Sequence, residues 1–97
     1  MMILVSYDVS TASPEGRKRL RHVAKICLDY GQRVQNSVFE CYLDHAQLQY
    51  FRKQLLGKID QREDSLRFYV MGNNWERKVE HFGVKPSINF QDDTLIV

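Results

Sequence analysis

The sequence predicts an α+β fold: a ferredoxin-like βαββαβ sandwich with an extra C-terminal strand, exchanged between the two chains of a homodimer. Three observations lead there. Short apolar strand-like runs alternate with two amphipathic helical stretches. The 97 residues suit one compact domain spanning 1–97. The remaining apolar stretch, Thr94-Leu95-Ile96-Val97, stands at the terminus, where it can pair with an exposed sheet edge of a second chain.

The first strand is Met2 to Asp8. Its apolar residues are nearly continuous, as in a central strand covered on both faces. Ser13-Pro14-Glu15 then opens a helix with a hydroxyl cap, proline at the first helical position and an acid in the first turn. Leu20, Val23, Ala24, Cys27 and Leu28 form its inner face, and Gly31 stops it. Gln32 to Asp44 is extended, with Phe39, Cys41 and Leu43 on one side and Val38, Glu40 and Tyr42 on the other. The run "QNS" breaks the phase of this stretch and predicts a bulge or kink that can divide it into two strands.

Asp44 and Gln47 resemble a capping box for the second helix, which carries Leu48, Phe51, Leu55 and Ile59 inward. The run "QRED" reads as a charged loop. Ser65 to Met71 is the next strand, with Leu66, Phe68 and Val70 opposite Arg67, Tyr69 and Met71. The turn signal "GNN" follows, then a short strand over Val79 to Phe82, then a break at Pro86. Two helices cover only one face of such a sheet. The other face, expected to carry Tyr7, Val38, Tyr69 or their neighbours, predicts a homodimer.

Composition narrows the function. Hydrophobic residues at 43% and charged residues at 27% give an ordinary globular balance, which argues against disorder. Neither a membrane-length apolar run nor a secretory leader is visible, and Cys27 and Cys41 read as buried thiols, so the expected location is cytoplasmic, with no membrane partner. The net charge is only +2, but Arg17, Lys18, Arg19, Arg21 and Lys25 crowd one helix, with Arg33 soon after. A solvated helix face explains such a run; so does a polyanionic partner.

Asp8 has two readings. Aspartate at a strand end commonly makes a turn or cap. A fixed carboxylate also suits Mg2+ or Mn2+, but one is too few for a site. A twofold axis near the first strand would bring a second Asp8, and an ion held there could activate water and polarise a phosphate. Arg19, Arg21 and Arg33 are candidate phosphate contacts, because a guanidinium offers paired donors to phosphate oxygens.

Other constellations point nowhere specific. His22, His45 and His81 lack metal-ligand spacing, and Ser37 lacks a neighbouring His and Asp that would make it a nucleophile. Asp92-Asp93 reads as a tail turn, and Trp75 as a dimer or core contact. No phosphate-binding glycine loop occurs, and "SLRFYVMG" lacks the glycine pattern of an RNA-recognition sheet.

The runs "YDVS", "RKRLRHVAKICLDYGQRVQNSVFECYL" and "DSLRFYVMGNN" resemble the CRISPR-associated protein 2 family, the small subunit of the spacer-acquisition machinery. The tail "VKPSINFQDDTLIV" looks like the version that accompanies multi-subunit interference systems. The resemblance implies a ferredoxin-like homodimer with exchanged C-terminal strands. It implies that Asp8 is a catalytic Mg2+ ligand mirrored across the dimer. It also places the family's helix-one arginines on Arg19 and Arg21, and its strand-two arginine, serine and aromatic on Arg33, Ser37 and Phe39, as nucleic-acid-binding residues. The implied functions are a metal-dependent endonuclease on duplex DNA or single-stranded RNA, and a non-catalytic scaffold that holds DNA between CRISPR integrase dimers. A small-ligand regulatory domain on the same fold is the third reading.

Overall fold

A computed structural model describes residues 1–71 and 77–84. The chain runs β1 (Met2–Asp8), α1 (Pro14–Tyr30), β2 (Gly31–Gln35), β3 (Val38–Tyr42), α2 (His45–Leu56), β4 (Ser65–Met71) and β5 (Arg77–Gly83). The five strands form one sheet in the order β2-β3-β1-β4-β5, with every neighbouring pair antiparallel. Its first four strands have the ferredoxin-like order, and β5 extends the sheet beyond β4. The "GNN" turn, Trp75, the Pro86 break, Asp92-Asp93 and the terminal stretch with its exchange lie outside the described residues.

Local chemistry accounts for the element boundaries. Ser13 caps α1, its Oγ accepting from the Gly16 N–H at 3.0 Å. Asp44 and Gln47 form the expected reciprocal box on α2, with bonds of 2.7 and 2.9 Å. "QNS" lies where β2 turns into β3, and a register shift between Arg33 and Gln35 marks the irregularity. Gly31 ends α1 in an extended conformation, so no left-handed cap calls for a glycine. A Cβ there would overlap the Cys41 Sγ and the Glu40 carbonyl, and close passage against β3 is what requires glycine.

Alternation along the strands separates the two sheet faces. Ile3, Val5, Phe39, Cys41, Leu66 and Phe68 point toward the helices and pack with Val23, Cys27, Leu48, Phe51 and Leu55. Phe39, Phe51 and Phe68 are fully buried, each contributing about 1.5–3 kcal/mol. Two expectations need correction. Tyr7 belongs to this core rather than to the open face: it has the parity of Ile3 and Val5, its ring stacks 6.2 Å from Phe39, and its hydroxyl reaches the Asn36 carbonyl at 3.4 Å. Leu28 is 56% exposed. The inner stripe of α1 runs Val23, Cys27, Tyr30, and the Tyr30 ring packs 4.6 Å from Phe51.

Candidate nucleic-acid and cation site

The helix-free face of β1 carries Met2, Leu4, Ser6 and Asp8, because their neighbours point into the core. Val38 and Tyr69 share this face, paired with Ser6 and Leu4 in the register. Asp8 is the last residue of β1, exposed, and opposite Ser65 of β4. Its two chain neighbours, Tyr7 and Val9, are buried, so the backbone holds Asp8 from both sides while its carboxylate stays free to meet a ligand. Among the described residues no group of three or more His, Cys, Asp or Glu side chains converges to hold a metal ion. Asp8 is thus an exposed carboxylate outside any such group.

The predicted arginines separate into two kinds. Arg19 is turned inward. Its Nε donates to Asp64 Oδ2 at 2.8 Å, and its Nη2 donates to Asp64 Oδ1 and to Glu63 Oε2, each at 3.3 Å. Its side chain is only 17% exposed, and in this arrangement its donors serve the protein rather than a phosphate. Arg21 is exposed and in no ion pair among the described residues. Arg33 is exposed on the edge strand β2, its guanidinium 5.1 Å from the Phe39 ring centroid. Burial pushes the Tyr7 phenol up, Cys27 adds to this, and the nearby Arg33 charge offsets only part of it.

Phe39 itself is fully buried, so in this chain it cannot stack on a base. It reaches the surface only through the guanidinium it supports. Ser37 sits in the turn before β3, where its carbonyl accepts the Tyr7 N–H at 3.1 Å. The basic character of α1 gains one member that spacing could not reveal. His22 is held below the ordinary imidazole range by desolvation, then by the charges of Lys58, Lys18, Arg21 and Lys25. Lys58 comes from the loop after α2, so only the folded chain brings it to this patch.

Two further groups escaped sequence reasoning. Asp64 closes the "QRED" loop and is fully buried, although the run reads as solvated. Its position just before an alternating strand was the available signal. On the open face, Arg67 pairs with Ser6 and with His81 in the register. Arg67 Nε donates to His81 Nδ1 at 3.1 Å, and Arg67 Nη1 donates to the Tyr69 hydroxyl at 3.1 Å. His81 Nε2 lies 2.8 Å from the Val84 carbonyl, so the ring carries its proton on Nε2.

These features define a ferredoxin-like sheet protein with a strand-end carboxylate on its bare face and exposed arginines on α1 and on the edge strand β2. The model of the family described as "CRISPR associated protein Cas2" matches residues 1–79. The chain is 56% identical over 95 residues to the CRISPR-associated endonuclease Cas2 of Halalkalibacterium halodurans, covering 98% of this chain and 99% of the relative. It is also 56% identical over 97 residues to the CRISPR-associated endoribonuclease Cas2 of Chlorobaculum tepidum, covering 100% of both. The crystal structure of Streptococcus pyogenes Cas2 at pH 6.5 superposes with a TM-score of 0.69 at 60% identity, covering 77% of this chain and 90% of that one. The chain belongs to the CRISPR-associated Cas2 family, whose relatives named above are called endonuclease and endoribonuclease.

Proposed function

We propose that this chain serves CRISPR spacer acquisition as a homodimeric, nucleic-acid-binding endonuclease that hydrolyses phosphodiester bonds of duplex DNA or single-stranded RNA. The carrying observation is Asp8: an exposed carboxylate at the end of an otherwise buried strand, on the one sheet face without helices. A second copy facing that surface across a twofold axis would set two Asp8 carboxylates against one Mg2+, or Mn2+, with water completing the shell. Such an ion, when bound, would supply a water of lowered pKa and charge stabilisation at the phosphate. Asp8 would hold the ion, while Arg21 on α1 and Arg33 on the edge strand would grip the phosphate backbone through charge-assisted hydrogen bonds. Arg19 contributes from behind by fixing the loop that follows Asp8.

One observation favours a second reading. An exposed Asp8 outside any group of three or more His, Cys, Asp or Glu side chains among the described residues also suits a non-catalytic scaffold bridging CRISPR integrase dimers. The deciding experiment is a cleavage assay on duplex DNA and on single-stranded RNA, with chelator and metal add-back. Asp8→Asn is expected to abolish cleavage while dimerisation and DNA binding persist. Cleavage by Asp8→Asn at the wild-type rate would sink the nuclease reading. Normal spacer acquisition by the same variant in cells would leave the scaffold as the working role.

A further inference from the structure

Asp64 is the one fully buried charged residue among those described, and its contacts converge on the segment just past Asp8. Oδ1 accepts the Ser10 N–H at 3.0 Å and Arg19 Nη2 at 3.3 Å. Oδ2 accepts Arg19 Nε and the Asp60 N–H, each at 2.8 Å. Its carbonyl accepts the Val84 N–H at 2.8 Å, just beyond β5. Ser10 is gripped from its other side as well: a Cβ on Gly16 would overlap the Ser10 carbonyl, so the first turn of α1 lies directly against it. The residue after Asp64, Ser65, opens β4 and is the register partner of Asp8.

We propose that Asp64 is a positioning residue for Asp8, with Arg19 locking Asp64 in place and Ser10 transmitting the constraint. This rests on Asp8 being half of a cation site shared across a twofold axis. Asp8 is exposed, so the backbone on either side must set its place. In a shared site an outward drift of each strand end counts twice, because both carboxylates move apart. Mg2+ demands near-octahedral geometry at about 2.0–2.1 Å, and such constellations tolerate errors of about 0.5 Å. A drift of that size in each chain doubles to about 1 Å across the axis, beyond this tolerance.

The test uses the full-length dimer and reads Mn2+ binding without nucleic acid, by the electron paramagnetic resonance signal of free Mn2+, alongside cleavage kinetics. Asp64→Asn keeps an oxygen for Ser10 but removes the charge that holds Arg19. It should weaken Mn2+ binding by about tenfold, the usual size of an outer-shell effect. In cleavage it should lower kcat and leave KM nearly unchanged. Amide exchange at Ser10 should accelerate. Leu48→Ala is the stability control, because Leu48 is a buried core residue of α2 that takes no part in the Asp64 hydrogen bonds; it should lower stability and leave Mn2+ affinity as in wild type. If Asp64→Asn does not fold, Arg19→Lys removes the guanidinium fork and should shift Mn2+ affinity the same way.

Two outcomes overturn the proposal, and they differ. If Asp8→Asn loses Mn2+ while Asp64→Asn and Arg19→Lys bind it as wild type does, the positioning role fails alone. If Asp8→Asn binds Mn2+ as tightly as wild type, the shared cation site itself fails and the positioning role falls with it.

Discussion

Arg19 Nε lies 2.8 Å from Asp64 Oδ2 in an ion pair that leaves none of the carboxylate exposed. A buried charge of this kind is tolerated only when its hydrogen bonds are saturated, and four donors from Arg19, Ser10 and Asp60 achieve that here. The pair joins the end of β1, the flank of α1 and the start of β4.

The pair makes stability acid-sensitive. Burial alone would raise the Asp64 carboxyl, but the Arg19 hydrogen bond and the Asp60 and Ser10 N–H groups outweigh it and hold the group below the usual range. A depressed carboxyl stabilises the fold fully above its unfolded value, about 3.9, and that contribution disappears as pH falls through the lower folded value. Asp64→Asn should cost about 1–3 kcal/mol near neutrality, because an amide cannot accept all the hydrogen bonds the carboxylate takes and a donor is left unsatisfied. Thermal melts of both proteins over an acid series should show the gap narrowing below about pH 4. A constant gap would contradict the assignment.

Gly16→Ala sets two effects against each other. Alanine in a helix gains about 1 kcal/mol over glycine. The added Cβ, however, would overlap the backbone carbonyl of Ser10, which has no flexible side-chain end to swing away. The clash should win and the protein should melt earlier. Gly83→Ala should also destabilise, since Gly83 has φ of 93° and its Cβ would overlap the Asp64 carbonyl. Denaturant midpoints measure both.

Arg21 and Arg33 should each contribute about one phosphate contact. Alanine at either position should weaken binding of duplexes of any sequence, and should reduce the slope of log affinity against log salt by about 1. Arg33→Lys should fall between alanine and wild type, because lysine keeps the charge but loses the planar group that rests on Phe39. Filter binding over a salt series reads both quantities.

Cys27 and Cys41 are free and fully buried. Burial pushes the Cys41 thiol up to about 11, with Glu40 adding to it, and raises Cys27 further, with Cys41 next in effect. Thiolate is the reactive form, so the native protein should resist iodoacetamide near pH 8. Both thiols should alkylate at the rate of unfolding, followed by mass spectrometry. Fast native alkylation of either would show that the core opens locally at α1 and β3.

Much of this fold is written in local chemistry. The Ser13 cap, the Asp44–Gln47 box, the interruption at "QNS" and the alternation of Phe39, Cys41 and Leu43 are each set by neighbours a few residues apart. Asp8 was legible as a strand-end carboxylate for the same reason. Tyr7 and Leu28 were misplaced, because which parity or stripe faces the helices depends on how the helices dock. Asp64 and Lys58 were missed because their partners lie far away along the chain. By itself, the order of residues determined the strands, the helices, their caps and the excess of cations near α1. Only the tertiary structure decided that Arg19 turns inward to Asp64 while Arg21 and Arg33 stay exposed, in no ion pair among the described residues, since the depth of a charge and the identity of its counterion are properties of packed elements rather than of adjacent residues.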